Sequence, residues 1–213
     1  MILALIKICW ELLKIKKIII ISENNNIAGL SVFNRKNLLF LNDDVTRNLL
    51  LTRNIFLKDI VIEKKFPSQI MIKTVWRKPI ASISTSGEQI LIDDEGFPAF
   101  PNDNLSYQVP QIFLSKVIFG SRSPDWRLLK SADFIKELNQ KDIIISRLTF
   151  NENTSEIVAL IDDSVMVLIP YNFDPTSISA SLQTIISRFR IEGKFITKID
   201  FRFDKPVVVL KNE

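Results

Sequence analysis

The sequence predicts an α+β protein of two units, a small α+β domain followed by a mostly antiparallel β domain with flanking helices. Three observations carry this. Helix-period apolar patterns and strand-like runs share the chain, and neither dominates. Up to residue 83 the order reads strand, helical segment, helix, strand, strand. Beyond it, short β-rich runs recur at hairpin-like spacing, with two helical patterns among them. At 213 residues the chain has room for one or two domains, and a chain of this size buries roughly 70% of its unfolded surface.

The first twenty-two residues, "MILALIKICWELLKIKKIIIIS", open apolar, but Lys7, Glu11 and Lys14 interrupt any run approaching the roughly 18 residues that span a bilayer. Two readings stay open for residues 1–15: an amphipathic helix packed on its own domain, or the outer, juxtamembrane end of a membrane anchor. "KKIIIIS" is strand-like and bounded by the polar "ENNN". "NDDVTRNLLLTRN" offers Asn42 or Asp43 as N-cap with acids in the first turn, which predicts a short helix. "IFLKDIVIEK" and "QIMIKTVWRK" are strands joined by the turn "KFPS". In the second, Ile70, Ile72, Thr74 and Trp76 share one face and Met71, Lys73, Val75 and Arg77 the other. These elements set a first unit at residues 16–83, with the small polar stretch "SISTSGEQ" (82–89) as the seam.

In the second unit, 84–213, "QILIDDEGFPAF" reads as strand, turn, strand, and "SPDWRLLKSADFIKELNQ" contains a helix ending near Leu138. "IIISRLTF", "EIVALI" and "VMVLIP" are successive strands. The strongest helix follows, with Asp174 as N-cap, Pro175 at the first helical position, and Ile178, Leu182, Ile185, Ile186 and Phe189 on one face up to Gly193. "KFITKIDFRFDKPVVVLKNE" closes the chain. Alternation there predicts Ile199, Phe201 and Phe203 inside and Asp200, Arg202 and Asp204 outside. If Val207 to Leu210 is an edge strand, its unpaired backbone groups can accept a partner strand, and Pro206 fits at its start.

Composition narrows the chemistry. With one cysteine, Cys9, and no histidine, the chain lacks the residues for an internal disulfide, a Ser-His-Asp or Cys-His site, or a His-ligated metal. Five glycines, with no Gly-rich loop between strand and helix, argue against a phosphate cradle and a nucleotide cofactor. The net charge of +4 is spread along the chain, which argues against nucleic acid. Lys64-Lys65-Phe66 and Trp76-Arg77-Lys78 read as a hairpin turn and a strand end. The carboxylate pairs Asp93-Asp94 and Asp162-Asp163 read as turns, with no partner to poise a catalytic pKa. No catalytic, cofactor-binding or metal residue is predicted, and no small-molecule substrate.

In order, these motifs resemble the FtsQ/DivIB family of bacterial cell-division proteins. "KIKKIIII" is similar to the first strand of that family's membrane-proximal POTRA domain, and "NRKNLLFLNDDVTRNLLL" to its turn and helix. "FLKDIVIEKKFPSQIMIKTVWRKPIASI" resembles the strand, turn, strand and closing signature. "QILIDDEGFPAF", "VPQI" and "KIDFRFDKPVVV" resemble the opening, the following segment and the closing strands of the family's β domain. Trp76 stands where the signature carries Glu, and Phe203 where a Tyr is usual.

The resemblance implies a POTRA-like domain at 16–83 and an FtsQ-type β domain at 84–213. It implies a non-enzymatic divisome scaffold at the septum, held in the cytoplasmic membrane by one N-terminal helix, with its bulk outside the cytoplasm. The implied partners are FtsB/DivIC-like and FtsL-like coiled-coil proteins. The implied partner-binding residues of the β-domain edge are Asp200, Arg202, Phe203, Lys205, Val207, Val208 and Val209, and the junction residues are Arg77, Pro79 and Ala81. The other reading is a POTRA-bearing interaction module of another envelope assembly or secretion system.

Overall fold

The computed structural model describes residues 10–23, 26–85, 88–99, 109–117 and 124–211. The fold is α+β, and the chain divides into two compact units, Met1–Arg77 and Lys78–Glu213. Residues 1–9, with most of the expected anchor segment, lie outside the described residues. Among those described, no helix is long and apolar enough to cross a membrane.

The first unit runs β1 (Lys17–Ile21), two short 3-10 helices (Leu30–Phe33 and Leu38–Phe40), α1 (Asp43–Arg53), β2 (Leu57–Lys65) and β3 (Gln69–Trp76). β3 is the middle strand, parallel to β1 and antiparallel to β2. Helix α1 starts where the Asn42 side chain accepts the Val45 N–H at 3.0 Å, with Asp43 and Asp44 in the first turn, as capping and the helix dipole favour. The β3 alternation holds: Ile70 and Ile72 are fully buried with Phe33, Leu38, Leu50, Leu57 and Ile60, while Lys73 and Val75 are exposed.

The second unit is one sheet in the order β11-β10-β9-β8-β7-β6-β4-β5. Its strands are β4 (Ala81–Thr85), β5 (Glu88–Ile92), β6 (Gln111–Phe113), β7 (Ile145–Asn151), β8 (Glu156–Ile161), β9 (Val165–Pro170), β10 (Ile196–Asp200) and β11 (Val207–Leu210). Four of its seven pairings are antiparallel and three parallel. Two of the parallel pairs are joined by helices, α2 (Trp126–Asn139) between β6 and β7 and α3 (Pro175–Ile191) between β9 and β10. Parallel neighbours need such a crossover. Both crossovers step in the same direction across the sheet from strands of the same sense, so a common right hand puts the helices on one face. There they touch each other and share one core.

The strand register aligns that core. Ile83, Ile112, Leu148, Ala159, Val167, Ile199 and Val208 form one row across seven strands, all packed in the helix-covered core. The rows on either side of it face away from the helices. The β8–β9 hairpin pairs Ile161 with Val165 across three residues. Asp162 (φ 48°) and Asp163 (φ 53°) are consecutive left-handed residues, and the Ser164 N–H closes the turn on Ile161 O at 3.1 Å, the primed turn that hairpins favour. Helix α3 begins where Asp174 accepts the Ser177 N–H at 2.8 Å, with Pro175 in its first turn.

Two expectations are corrected here. The boundary lies at Arg77/Lys78 rather than 83/84, because β4 pairs with β5 and β6 of the large sheet. Consequently "SISTSGEQ" is not a seam: its described residues belong to the β4–β5 hairpin. Ser82 and Ser84 look like linker residues, yet they alternate with Ala81 and Ile83, both fully buried.

Candidate functional site

The last strand supplies one edge of the large sheet. β11 is the outermost strand and pairs with β10 alone. Two contacts fix which of its backbone groups are engaged. The Lys211 N–H donates to Phe195 O at 2.8 Å, and Val209 O accepts from Thr197 Oγ1 at 3.1 Å. Residues 209 and 211 therefore turn their polar groups toward β10. Since these groups alternate along a strand, the N–H and C=O of Val208 and Leu210 point to the open side. Pro206, just before the strand, falls in the same outward phase and has no N–H to offer.

Side chains follow the opposite division. Val208 packs into the helix-covered core, whereas Val207 and Val209 stand on the other face and are exposed. Beside them in register are Asp200 and Lys198 of β10. A register shift between Ile196 and Lys198 accommodates the extra residue Thr197, whose hydroxyl makes the bond to Val209 just described.

The β10–β11 loop is pinned by one cation. Arg202 Nε donates to Asp200 Oδ1 at 2.9 Å and Nη2 to Asp200 Oδ2 at 2.6 Å, a bidentate pair. The Arg202 N–H also reaches Asp200 Oδ1 at 3.1 Å, closing an Asx turn that ends the strand. Nη1 extends to Glu156 at the start of β8, two strands away. These hydrogen bonds hold the Asp200 carboxyl below its ordinary value against the opposing effect of burial. They raise Arg202, chiefly through Asp200.

The expected edge residues therefore divide. Val207 and Val209 are accessible side chains on the open strand, and Phe203 and Lys205 are exposed on the loop. Alternation predicted Phe203 inside, but the strand ends at Asp200 and the chain bends over 202–205, leaving Phe203 60% exposed. Asp200, expected outside, is only 5% exposed beneath Arg202. Val208 contributes backbone, not side chain. Arg202 is committed to carboxylates, so it shapes the loop. Glu156 was not foreseen, and no local pattern marks it, because only the register of β8, β9 and β10 brings it near the loop.

Of the junction residues, Arg77 ends the first unit, its N–H bonded to Phe56 O at 3.0 Å and its Nε to Ile55 O at 3.2 Å. Pro79 and Ala81 belong to the second unit. Ala81 is fully buried in β4, which makes it a core position rather than a contact.

The carboxylate pairs behave as turns. Asp93, 1% exposed, accepts the N–H groups of Glu95 at 3.0 Å and Phe97 at 2.9 Å. Among the described residues no cluster of three or more Asp, Glu, His or Cys groups could hold a metal. In comparisons with known proteins, no family model matches the chain and no curated protein matches it significantly.

Proposed function

We propose that the chain is a non-enzymatic scaffold of the FtsQ/DivIB kind, an extracytoplasmic, membrane-anchored divisome protein that takes up FtsB/DivIC-like and FtsL-like coiled-coil partners. The FtsB-like partner adds a short strand to β11. The open edge carries this reading: β11 is outermost, and Val208 and Leu210 turn two donors and two acceptors outward, the chemistry of strand addition. Supporting it are the element order of the first unit, which fits a POTRA-like domain, and the motif order along the chain. Val207, Val209 and Phe203 would meet the partner's side chains, with Lys205 attracting its acidic groups.

The test is a pull-down between this chain and the FtsB-like protein of the same organism. Val208→Pro removes an outward N–H but breaks no bond to β10, because residue 208 does not face that strand. Partner binding is expected to weaken at least about tenfold, the worth of one or two lost hydrogen bonds, with an unchanged circular dichroism spectrum. Undiminished affinity would rule out strand addition at β11. A fluorescent fusion that fails to gather at mid-cell would rule out the divisome role.

A further inference from the structure

The first unit carries a second surface, at the end where β1 begins. Three segments meet there. The Leu38 N–H donates to Leu13 O at 2.9 Å and the Ile15 N–H to Lys36 O at 3.0 Å, which ties residues 13–15 to 36–38; the Lys16 N–H donates to Ser68 O at 2.8 Å, which adds the tip of the β2–β3 hairpin. Large apolar side chains project from this end. Trp10 (48% exposed) stacks on Phe40 (72%) with ring centroids 5.3 Å apart, and Phe66 is 60% exposed on the hairpin tip. Water-facing aromatics of this kind call for a partner.

Charge says which partner. Segments 10–17, 34–41 and 63–69 together hold seven Lys and Arg residues and two acids, Glu11 and Glu63. Both acids are already engaged, Glu11 by Lys14 and Glu63 by Lys65 and Lys73. Lys16, Arg35 and Lys36 are exposed and make no ion pair among the described residues. Between Lys16 and Arg35 the surface dips into a cleft of about 260 Å³ floored by Ile15, Ile18 and Phe33, room for a phosphate headgroup. Aromatic side chains at the level of basic ones are the composition of a surface seated in a membrane interface, where rings sit among headgroups and cations meet lipid phosphates.

We propose that this end of the first unit docks on an anionic phospholipid surface. Trp10, Phe40 and Phe66 enter the headgroup layer, and Lys16, Arg35 and Lys36 engage phosphates. The surface is separate from the β11 edge and does not depend on what pairs there.

The test is co-sedimentation of the full chain with vesicles of pure phosphatidylcholine and with vesicles of three parts phosphatidylcholine to one part phosphatidylglycerol. The anionic vesicles are expected to bind at least about tenfold better, with the preference shrinking as salt shortens the Debye length. Arg35→Glu with Lys36→Glu is expected to remove that preference, and Phe40→Ser to weaken binding to the anionic vesicles severalfold; both variants should keep the parent melting curve, since the replaced side chains are exposed. Equal binding to both vesicle types, or charge reversal without effect, would overturn the proposal, because the apolar stretch Met1–Cys9 would then account for any association. A concentration-dependent dimer that Phe40→Ser dissolves, with no vesicle binding, would overturn it in favour of a contact between copies.

Discussion

Gly96 shows how little freedom a single turn position leaves. It sits at φ 77°, and a Cβ there would come within 3.0 Å of the Leu129 backbone nitrogen. Gly96→Ala pays both for the left-handed backbone and for a contact that α2 cannot relieve, so urea denaturation is expected to show a loss of more than about 1 kcal/mol. The carboxylates make a different kind of prediction. Asp125 is held below its ordinary value of 3.8 chiefly by Arg127, Asp174 by Ser177 and Asp200 by Arg202. A depressed folded pKa means that the unfolded chain binds protons first. These contributions are therefore present above the unfolded value and disappear as pH falls below 3.8 through the folded values. Thermal melts should fall steeply below about pH 4, and Asp125→Asn should flatten part of that fall.

Among elements, local signals were readable and distant ones were not. Asn42 and Asp174 announce their helices, because a cap is a contact within one turn. The β3 faces and the Asp162-Asp163 hairpin are equally local. What the chain does not spell out is adjacency: that β6 lies between β4 and β7, or that Arg202 reaches Glu156. The same limit explains Phe203, where alternation was extended past a strand that Asp200 and Arg202 end with an Asx turn. It also explains "SISTSGEQ", whose composition suits a linker while its pairing makes it a hairpin. Of the candidate site, the strand was legible in "KPVVVL", and Pro206 was compatible with an edge; that β11 is the edge, and the division of labour between the backbone of Val208 and the side chains of Val207 and Val209, required the strand order and register. Ile199, fully buried beside Val208 in that row, gives the contrast with Val208→Pro: Ile199→Ala is expected to cost about 2–5 kcal/mol of folding stability, weakening partner capture only by unfolding, so binding per folded molecule should be retained.

For the molecule as a whole, each core closes within its own unit. Phe33, Leu50 and Ile72 belong to one cluster, and Phe134, Leu182 and Ile199 to the other. Residues 78–213 expressed alone are therefore expected to keep their amide dispersion and a cooperative melt. A broadened spectrum would mean that the first unit is needed for the second to fold. Leu50→Ala, in the fully buried core of the first unit, should accelerate hydrogen exchange in β1 to β3 while leaving β7 to β9 unchanged.

Pro206 gives the β11 edge a phase. Donors recur at every second position, so a guest strand on a plain edge can slide by two residues and find an equivalent ladder, a slip that keeps every side chain on its own face. On this chain the slide toward the loop meets position 206, where the expected N–H is missing. Alignments that begin at Val208 keep all their bonds and those that begin earlier lose one. A residue that weakens the edge as a sticky surface thereby makes it a ruler with a marked zero.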